Sequence, residues 1–453
     1  MKFSAVVSFI ISIILYLGVT MSVAHAQNVI DVHSHILTPE YVAAIKSHHA
    51  EMEEGFPLPF WNLDSHLKWM DETGIKQSVL TLAAPHPYFG DTTESARIIR
   101  KENETAAKIR IQNPDRFKFC ASLPLPDVKA AIQEAEYAID TLHADCIKLA
   151  TNSRGQYLGD PVLDPLMEVL NDRHAVIILH PHKPDPYSAQ VMQQTPLAMQ
   201  EYLAETTRAI ANMITRNILA KYENIKVVVP HCGAYLPLAL PRMKAIHPVV
   251  QNAGMVQTID WEGNLSKLYY DLAGAASVQT IKIMLTITTP DHILYGSDYP
   301  YGAPGVLTAN LNRLKEDIKR DGELAPFLDK FLFGNAQKLF FSQSDADKMI
   351  VRICEIEIYP QYLDEYIKAA NEISTTSVRV EPGVISLLPM QIKSEPNKIR
   401  IVEIYASLEA YQHHISTEHF KKYKQGTLHM VKELKLIDTK MLNPAIMPET
   451  LKK

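Results

Sequence analysis

The chain has 453 residues, of which 47% are hydrophobic and 21% are charged, and its formal net charge is -6. This length and hydrophobic content allow a large buried core and two or three domains. The charges are mixed along the sequence and do not gather in basic tracts, which argues against nucleic acid as a partner.

The first 26 residues have the organisation of a secretory signal peptide. Lys2 precedes an uncharged apolar run, and the small residues of Ala24-His25-Ala26 stand directly ahead of Gln27. We therefore expect cleavage after Ala26, export to the periplasm, and no stable membrane association of the mature protein. The alternative is an uncleaved membrane anchor, because the apolar run approaches the roughly 20 residues that span a bilayer.

The chain has four cysteines, Cys120, Cys146, Cys232 and Cys354, without the close pairing or regular spacing of a disulfide framework. Export would place them in an oxidising compartment. Because Cys120 and Cys146 lie within apolar runs, we nevertheless expect them to be buried core thiols.

Short apolar runs alternate with segments of helical period from residue 28 to about 303, which is typical of repeated βα units. The eight candidate strands are Asn28 to His35, Gln77 to Pro85, Arg116 to Leu125, Ala144 to Asn152, Ala175 to His182, Lys226 to Gly233, Leu268 to Gly274, and Ile293 to Pro300. We predict a (β/α)8 TIM barrel over residues 27–342. An open doubly wound sheet is the alternative, but no glycine-rich phosphate loop follows the first strand.

The pattern changes after a short polar stretch, residues 343–348, which suits a linker. Residues 349–445 then follow the order βαββαβ, with candidate helices at Gln361 to Ile373 and Leu408 to Val431. This order predicts a separate ferredoxin-like α+β domain.

Metal-ligating residue types recur where the candidate barrel strands end. His33 and His35 are two residues apart at the end of the first strand, so their side chains project to the same side. His180 ends the fifth strand, His231 the sixth and Asp298 the eighth. Because the carboxyl ends of barrel strands form the catalytic mouth, these side chains predict a metal site there.

These motifs resemble those of the amidohydrolase-related decarboxylases, a family that includes aminocarboxymuconate semialdehyde decarboxylase. The segments that carry the resemblance are His33-x-His35, residues 179–181, residues 229–233 and residues 296–300. Residues 157–161 resemble more narrowly the 6-methylsalicylate decarboxylase-like members. The resemblance covers roughly residues 28 to 340.

The resemblance implies one divalent ion, Zn2+ or alternatively Mn2+, held by His33, His35, His180 and Asp298. It further implies that His231 and Asp298 are the catalytic residues that manage protons. Lys148 lies before the end of the fourth strand, so we expect a structural or supporting lysine and not a bridge between two metals.

Four residues on candidate loops are predicted to contact a small-molecule substrate: Arg154, His86, Trp61 and Tyr301. An arginine pairs with a carboxylate in two parallel hydrogen bonds, and aromatic side chains stack on a ring. Each of these residues also suits an ordinary packing position.

Two enzyme functions remain open on the sequence. The first is non-oxidative decarboxylation of a small aromatic or unsaturated carboxylic acid of the 6-methylsalicylate type. The second is hydrolysis of a lactone, ester or amide by the same site, which export favours.

The C-terminal segment, from Met349 to about residue 442, resembles the antibiotic biosynthesis monooxygenase family of small dimeric α+β proteins. The resemblance implies a dimerisation module, hence an even-numbered oligomer, or a cofactor-independent monooxygenase. His413, His414 and His419 are its candidate active residues, although their helical spacing favours a solvated helix face.

Overall fold

The computed structural model of the chain describes residues 28–82, 84–187, 195–274, 276–341, 349–381 and 383–439. These residues form two compact units that divide after Phe341. The predicted signal peptide and the predicted linker lie outside the described residues. None of the helices in the described ranges combines the length and the hydropathy needed to span a bilayer.

The N-terminal unit is built on eight described strands that pair in parallel and in chain order. They are β1 (Val29–Ile36), β2 (Ile75–Leu82), β3 (Phe117–Ser122), β4 (Cys146–Ala150), β5 (Val176–His180), β6 (Lys226–Val229), β7 (Leu268–Asp271) and β8 (Ile293–Leu294). Ser34 forms a parallel bridge with Tyr299, and the Asp298 N–H donates to the His33 carbonyl at 2.8 Å. These contacts join the last strand to the first, which confirms the predicted barrel.

Helices follow the strands and cover the outside of the barrel. In chain order they are α1 (Pro39–Ser47), α2 (Leu63–Thr73), α3 (Thr92–Gln112), α4 (Val128–Glu136), α5 (Asp164–Asp172), α6 (Glu201–Thr215), α7 (Ile218–Lys221), α8 (Leu236–Asn252), α9 (Trp261–Leu265), α10 (Val278–Met284) and α11 (Pro304–Arg320). Side chains directly before several of these helices determine where they begin. Asp91 caps α3, Asp127 caps α4, and Ser277 forms a capping box on α10.

Alternate residues of the strands build two apolar layers. The larger layer packs the outer faces of the strands against the helices. The smaller layer takes side chains from β1 to β6 and β8, for example Val79, Ile178 and Val228, and therefore fills the barrel interior. The open end of the barrel is thus the end at which the strands finish.

The expectation of core thiols at Cys120 and Cys146 is wrong, because the two residues form a disulfide. β3 and β4 are neighbours, and their register places Cys120 directly opposite Cys146 with 4.3 Å between the Cα atoms. Cys232 and Cys354 are free cysteines.

The C-terminal unit has an antiparallel sheet with helices between its strands. Its described strands are β9 (Ile350–Ile358), β10 (Val384–Ile392), β11 (Glu395–Tyr405) and β12 (Val431–Thr439), in the sheet order β10-β11-β9-β12. Helix α12 (Leu363–Val380) follows β9, and α13 (Leu408–Ser416) and α14 (Glu418–Thr427) precede β12. This confirms the predicted ferredoxin-like order.

The disulfide predicts a stability difference that depends on redox conditions. The bond closes a loop with a sequence separation of 26. Replacing Cys120 and Cys146 by alanine should lower the free energy of unfolding by about 3 kcal/mol, measured by urea unfolding of otherwise identical proteins. The denatured wild type should titrate two thiols without reductant, from Cys232 and Cys354. Four titrated thiols, together with a wild-type unfolding midpoint that does not respond to reductant, would contradict the bond.

Candidate metal centre

The open end of the barrel brings four ligand-type side chains together. His33 and His35 come from β1, His180 is the last residue of β5, and Asp298 follows β8. One ligand atom from each lies within 4.8 Å of the others. Asp298 Oδ1 is 3.2 Å from His35 Nε2 and 3.6 Å from His33 Nε2. Atoms that share one zinc ion at about 2.0–2.2 Å stand at such separations, so the donor set fits a divalent ion.

The hydrogen bonds of two imidazoles fix which ring nitrogen faces the site. His33 Nδ1 lies 2.8 Å from Asp271 Oδ2, and His180 Nδ1 lies 2.9 Å from the Pro181 carbonyl oxygen. An ionised carboxylate and a carbonyl only accept hydrogen bonds, so both Nδ1 atoms carry the proton. In the neutral ring, Nε2 is then left with a free lone pair.

The third imidazole is fixed by a hydroxyl group. Thr81 Oγ1 lies 2.8 Å from His35 Nδ1 and 3.0 Å from the Ser34 carbonyl oxygen. The single hydroxyl proton is donated to that carbonyl, so Thr81 accepts from the Nδ1–H of His35. All three imidazoles therefore turn Nε2, and not Nδ1, toward the same place, which is the orientation that a metal ion requires.

The charges around His33 favour a cation at this place. His33 Nε2 is buried, and it makes no hydrogen bond to any described residue. Burial acts to lower the pKa of His33, but Asp271 and Asp298 outweigh it and raise that pKa to about 9. Burial also acts to raise the pKa of Asp298, but contacts with His231 and His35 hold that pKa well below its ordinary value. A bound cation would satisfy the same two carboxylates.

The imidazoles of His35 and His180 are neutral because they are buried. Burial lowers the pKa of His35 to about 4 and lowers that of His180 well below its ordinary value. Only a neutral imidazole offers a nitrogen lone pair, so burial prepares both rings for metal binding.

A register shift in β1 turns both histidines of the first strand toward the barrel interior. Asp31 pairs with Ser78 and Ser34 with Leu80, so β1 uses one more residue than β2 over this stretch. Val32 belongs to the interior apolar layer. The extra residue changes the alternation after Val32, so that His33 and His35 also face inward.

Asp271, the last residue of β7, connects the metal-binding side chains to His231. The carboxylate is fully buried and accepts through Oδ2 from His33, while Oδ1 accepts from the backbone N–H groups of His231 and Ala273, both at 3.0 Å. Burial acts to raise the pKa of Asp271, but His33 lowers it. The sequence prediction missed this residue, for which the sequence offers only an aspartate at the end of the apolar run that forms β7.

His231 lies near Asp298 but is not among the four side chains whose ligand atoms converge. Its Nε2 is 3.8 Å from Asp298 Oδ2, whereas Asp298 Oδ1 faces His33 and His35. His231 and Asp298 have φ angles of 54° and 66°, in the left-handed region that non-glycine residues rarely adopt. Such backbone strain is typical of functional positions.

Lys148 is buried on β4 below the four ligand-type side chains. Burial lowers its pKa to about 8, and the charge of Glu54 acts in the opposite direction. Lys148 is not among the four side chains whose ligand atoms converge. The positive charge of Lys148 nevertheless acts on His35 and His180 and helps to lower the pKa of both.

The structure places the four predicted substrate contacts in different settings. Tyr301 lies with its ring 5.4 Å from that of His35. His86 and Arg154 line one small cleft, in which the buried His86 donates from Nε2 to the Leu125 carbonyl at 2.9 Å. Trp61 packs in the main apolar core.

Glu54 is a buried carboxylate near this end of the barrel that the sequence prediction did not single out. It lies 2.6 Å from His182 Nδ1 and accepts from the Tyr202 hydroxyl at 2.9 Å. The neighbouring Glu53 forms a 3.8 Å ion pair with Arg154. Glu54 lies in an irregular loop between α1 and α2, where the sequence has no hydrophobic period that would indicate a buried position.

The solvated-face interpretation of the C-terminal histidines is wrong for His414. Its side chain is 2% exposed and contacts the buried Glu381, because α13 packs this face inward. His413 is exposed, as expected, and His419 is partly exposed.

Comparison with protein families agrees with both units. A family model described as Amidohydrolase matches residues 30–341, and one described as Antibiotic biosynthesis monooxygenase matches residues 349–426. Decarboxylase yanB of Aspergillus niger is 34% identical over 348 residues, which are 74% of the chain and 88% of that relative. The 6-methylsalicylic acid decarboxylase of Penicillium expansum is 30% identical over 312 residues, which are 67% of the chain and 95% of that relative.

Solved structures share the barrel. A crystal structure of an amidohydrolase II is 31% identical, with a TM-score of 0.64, and covers 70% of the chain and 100% of its own length. A dihydroxybenzoic acid decarboxylase from Polaromonas sp. JS666, with bound manganese and 2-nitroresorcinol, is 20% identical, with a TM-score of 0.58. It covers 70% of the chain and 98% of its own length, which shows the same fold. The resemblance inferred from the motifs is thereby confirmed.

The hydrogen bond from His33 predicts the effect of Asp271→Asn on metal affinity. An asparagine amide in that position can donate to Nδ1, which would move the ring proton to Nε2 and block the metal-facing lone pair. We expect zinc affinity to fall by roughly 10- to 100-fold, measured by competition with a chromophoric chelator.

Glu134→Gln is the matched control, because Glu134 is a buried carboxylate on α4 that pairs with Arg100. It should leave the zinc affinity unchanged. Equal zinc affinities for Asp271→Asn and wild type would show that Asp271 does not orient His33.

Proposed function

The chain belongs to the amidohydrolase family, and from this membership and the geometry of its metal centre we propose that it is a metal-dependent decarboxylase. The proposed substrate is a small aromatic acid with a hydroxyl group next to the carboxylate, of the 6-methylsalicylate type. The two decarboxylases that are 34% and 30% identical to it over their aligned residues support this choice.

The proposal rests on the positions of the two carboxylate oxygens of Asp298, which face different histidines. Oδ1 faces the Nε2 atoms of His33 and His35, while Oδ2 faces His231 Nε2 at 3.8 Å. The side chain that would complete the metal site thus also turns one carboxylate oxygen toward a histidine outside that site. A proton donor is held next to the place where a metal-bound acid would react.

Decarboxylation needs a place for an electron pair and a source for a proton. His231 would first give its proton to the ring carbon that bears the carboxylate, while the ortho oxygen releases electron density to the ring and becomes a carbonyl. The bond between that carbon and the carboxylate would then break, its electron pair would restore the aromatic ring and the negative charge of the ortho oxygen, and CO2 would leave. A bound divalent ion supplies Lewis acidity and a template for the carboxylate and the ortho oxygen.

Positive charge near the site would help to hold the acid. Lys148 lies below the ligands, and burial keeps its pKa near 8, so that its ammonium group is largely charged at neutral pH. Arg154 would serve at the outer rim with His86, and Tyr301 would contact the substrate ring beside His35. Trp61 would act only through the packing of the loop that carries it.

We propose zinc as the resident ion and manganese as the alternative. Three imidazoles and one carboxylate suit zinc, which takes nitrogen and oxygen ligands at about 2.0–2.2 Å. The bound manganese of the Polaromonas relative supports the alternative.

The C-terminal domain is proposed to make an even-numbered oligomer. Leu434 and Leu436 of its edge strand β12 are about half exposed, as is Leu388 of the other edge strand β10. Unpaired edges with apolar side chains are suited to pairing with a second copy.

We propose that the protein is exported. The buried Cys120–Cys146 disulfide supports this, because stable disulfides form in oxidising compartments. Expression of the full sequence in a bacterium should yield a periplasmic protein whose N-terminus is Gln27, measured by intact mass. A cytoplasmic protein that retains Met1 would contradict export.

The decarboxylase proposal is tested by following CO2 and acid release together. Zinc-loaded protein that starts at Gln27 is given 6-methylsalicylate and other ortho-hydroxybenzoates, and in parallel esters and lactones. We expect metal-dependent CO2 release that Asp298→Ala abolishes. His231→Gln should retain zinc and lose about 10²- to 10⁴-fold in kcat, the usual contribution of a positioned acid.

His413→Gln, a change of an exposed histidine in the other unit, is the control and should keep full activity. Acid production from esters or lactones without CO2 release from any hydroxybenzoate would assign the protein to the hydrolases.

A further inference from the structure

A second group of ligand-type side chains lies in the C-terminal unit. Glu381 is the C-cap residue that follows α12, His414 lies in the last turn of α13, and His419 lies in the first turn of α14. One ligand atom from each lies within 4.8 Å of the others. The end of α12 and the junction of α13 and α14 thus bring these side chains to one place.

The contacts converge on a single carboxylate. His414 Nδ1 is 3.0 Å and 3.2 Å from the two oxygens of Glu381, and His419 Nε2 is 2.6 Å from Oε1. Glu381 and His414 are 4% and 2% exposed, whereas His419 is 30% exposed. A buried carboxylate is costly unless a positive charge compensates it.

The composition and accessibility of the group match a metal site. Two imidazoles and one carboxylate form a ligand set that holds zinc and leaves one position open for water or an anion. The partly exposed His419 gives an ion a way in. His414 also lines a cavity of about 510 Å³ in this unit, together with Phe420 and Tyr405.

We propose that Glu381, His414 and His419 bind a second divalent cation of the zinc class, independent of the barrel metal. The ion would tie the end of α12 to the junction of α13 and α14. An ion pair among the same three side chains is the competing explanation, and it predicts no metal.

The test uses the full mature chain with the barrel site removed by His35→Asn and His180→Asn. After equilibrium dialysis against micromolar zinc, elemental analysis should find about one zinc ion per chain in this background. Adding His419→Gln should remove it, and adding His413→Gln should not, because His413 is an exposed neighbour on α13. Cobalt in place of zinc should give visible absorption that follows the same pattern.

Two further measurements test whether the His419→Gln variant is still folded. His419 is partly exposed, and His414 still contacts Glu381 when His419 is replaced, so His419→Gln should remain folded with only a small loss of melting temperature without metal. Only the parent should gain stability from zinc. In the chain with an intact barrel site, the same substitution should lower the zinc content from two ions to one. Zinc content that His419→Gln leaves unchanged, or a background chain that binds none, would overturn the proposal. Neither result bears on decarboxylation in the barrel.

Discussion

The buried carboxylate of Asp271 is the constraint on which the metal centre depends. One oxygen accepts from His33 Nδ1, and the other accepts from the backbone N–H of His231. The first contact fixes the tautomer of a metal-facing imidazole, and the second fixes the loop that carries the proposed proton donor. Both contacts use one carboxylate at the end of β7, so the ring of His33 and the backbone of His231 are held by the same group.

The backbone around this carboxylate is adapted to bring the first and last strands close together. A Cβ on Gly296 would lie 2.7 Å from the Cβ of His33 and 3.3 Å from the Cγ of Asp271, so a larger residue would push β1 away from the loop after β8. Asp31 accepts from the Ser297 N–H at 2.9 Å and from the His33 N–H at 3.1 Å, which holds the same loop from the other side. Asp298 can therefore remain in its strained left-handed conformation beside His35.

The barrel and the four ligand-type side chains were predictable because both follow from short-range patterns. Apolar runs mark parallel strands, and a histidine or aspartate where such a run ends must lie at the barrel mouth. Asp271 was not predicted, since a single aspartate after an apolar run has the same appearance whether it orients a ligand or faces solvent. The Cys120–Cys146 bond depends on strand register, which no local pattern reveals. His414 was misjudged because its partner, Glu381, is brought to it only by tertiary packing.

The central claim is that three imidazoles, each with its proton fixed on Nδ1, and one oxygen of Asp298 hold a metal beside an unliganded His231. Anomalous diffraction from crystals of the zinc-loaded protein tests it most directly. We predict a peak about 2.0–2.2 Å from the Nε2 atoms of His33, His35 and His180 and from Asp298 Oδ1, with His231 outside ligand distance. A peak coordinated by His231, or by the Nδ1 atom of any of the three histidines, would contradict the account.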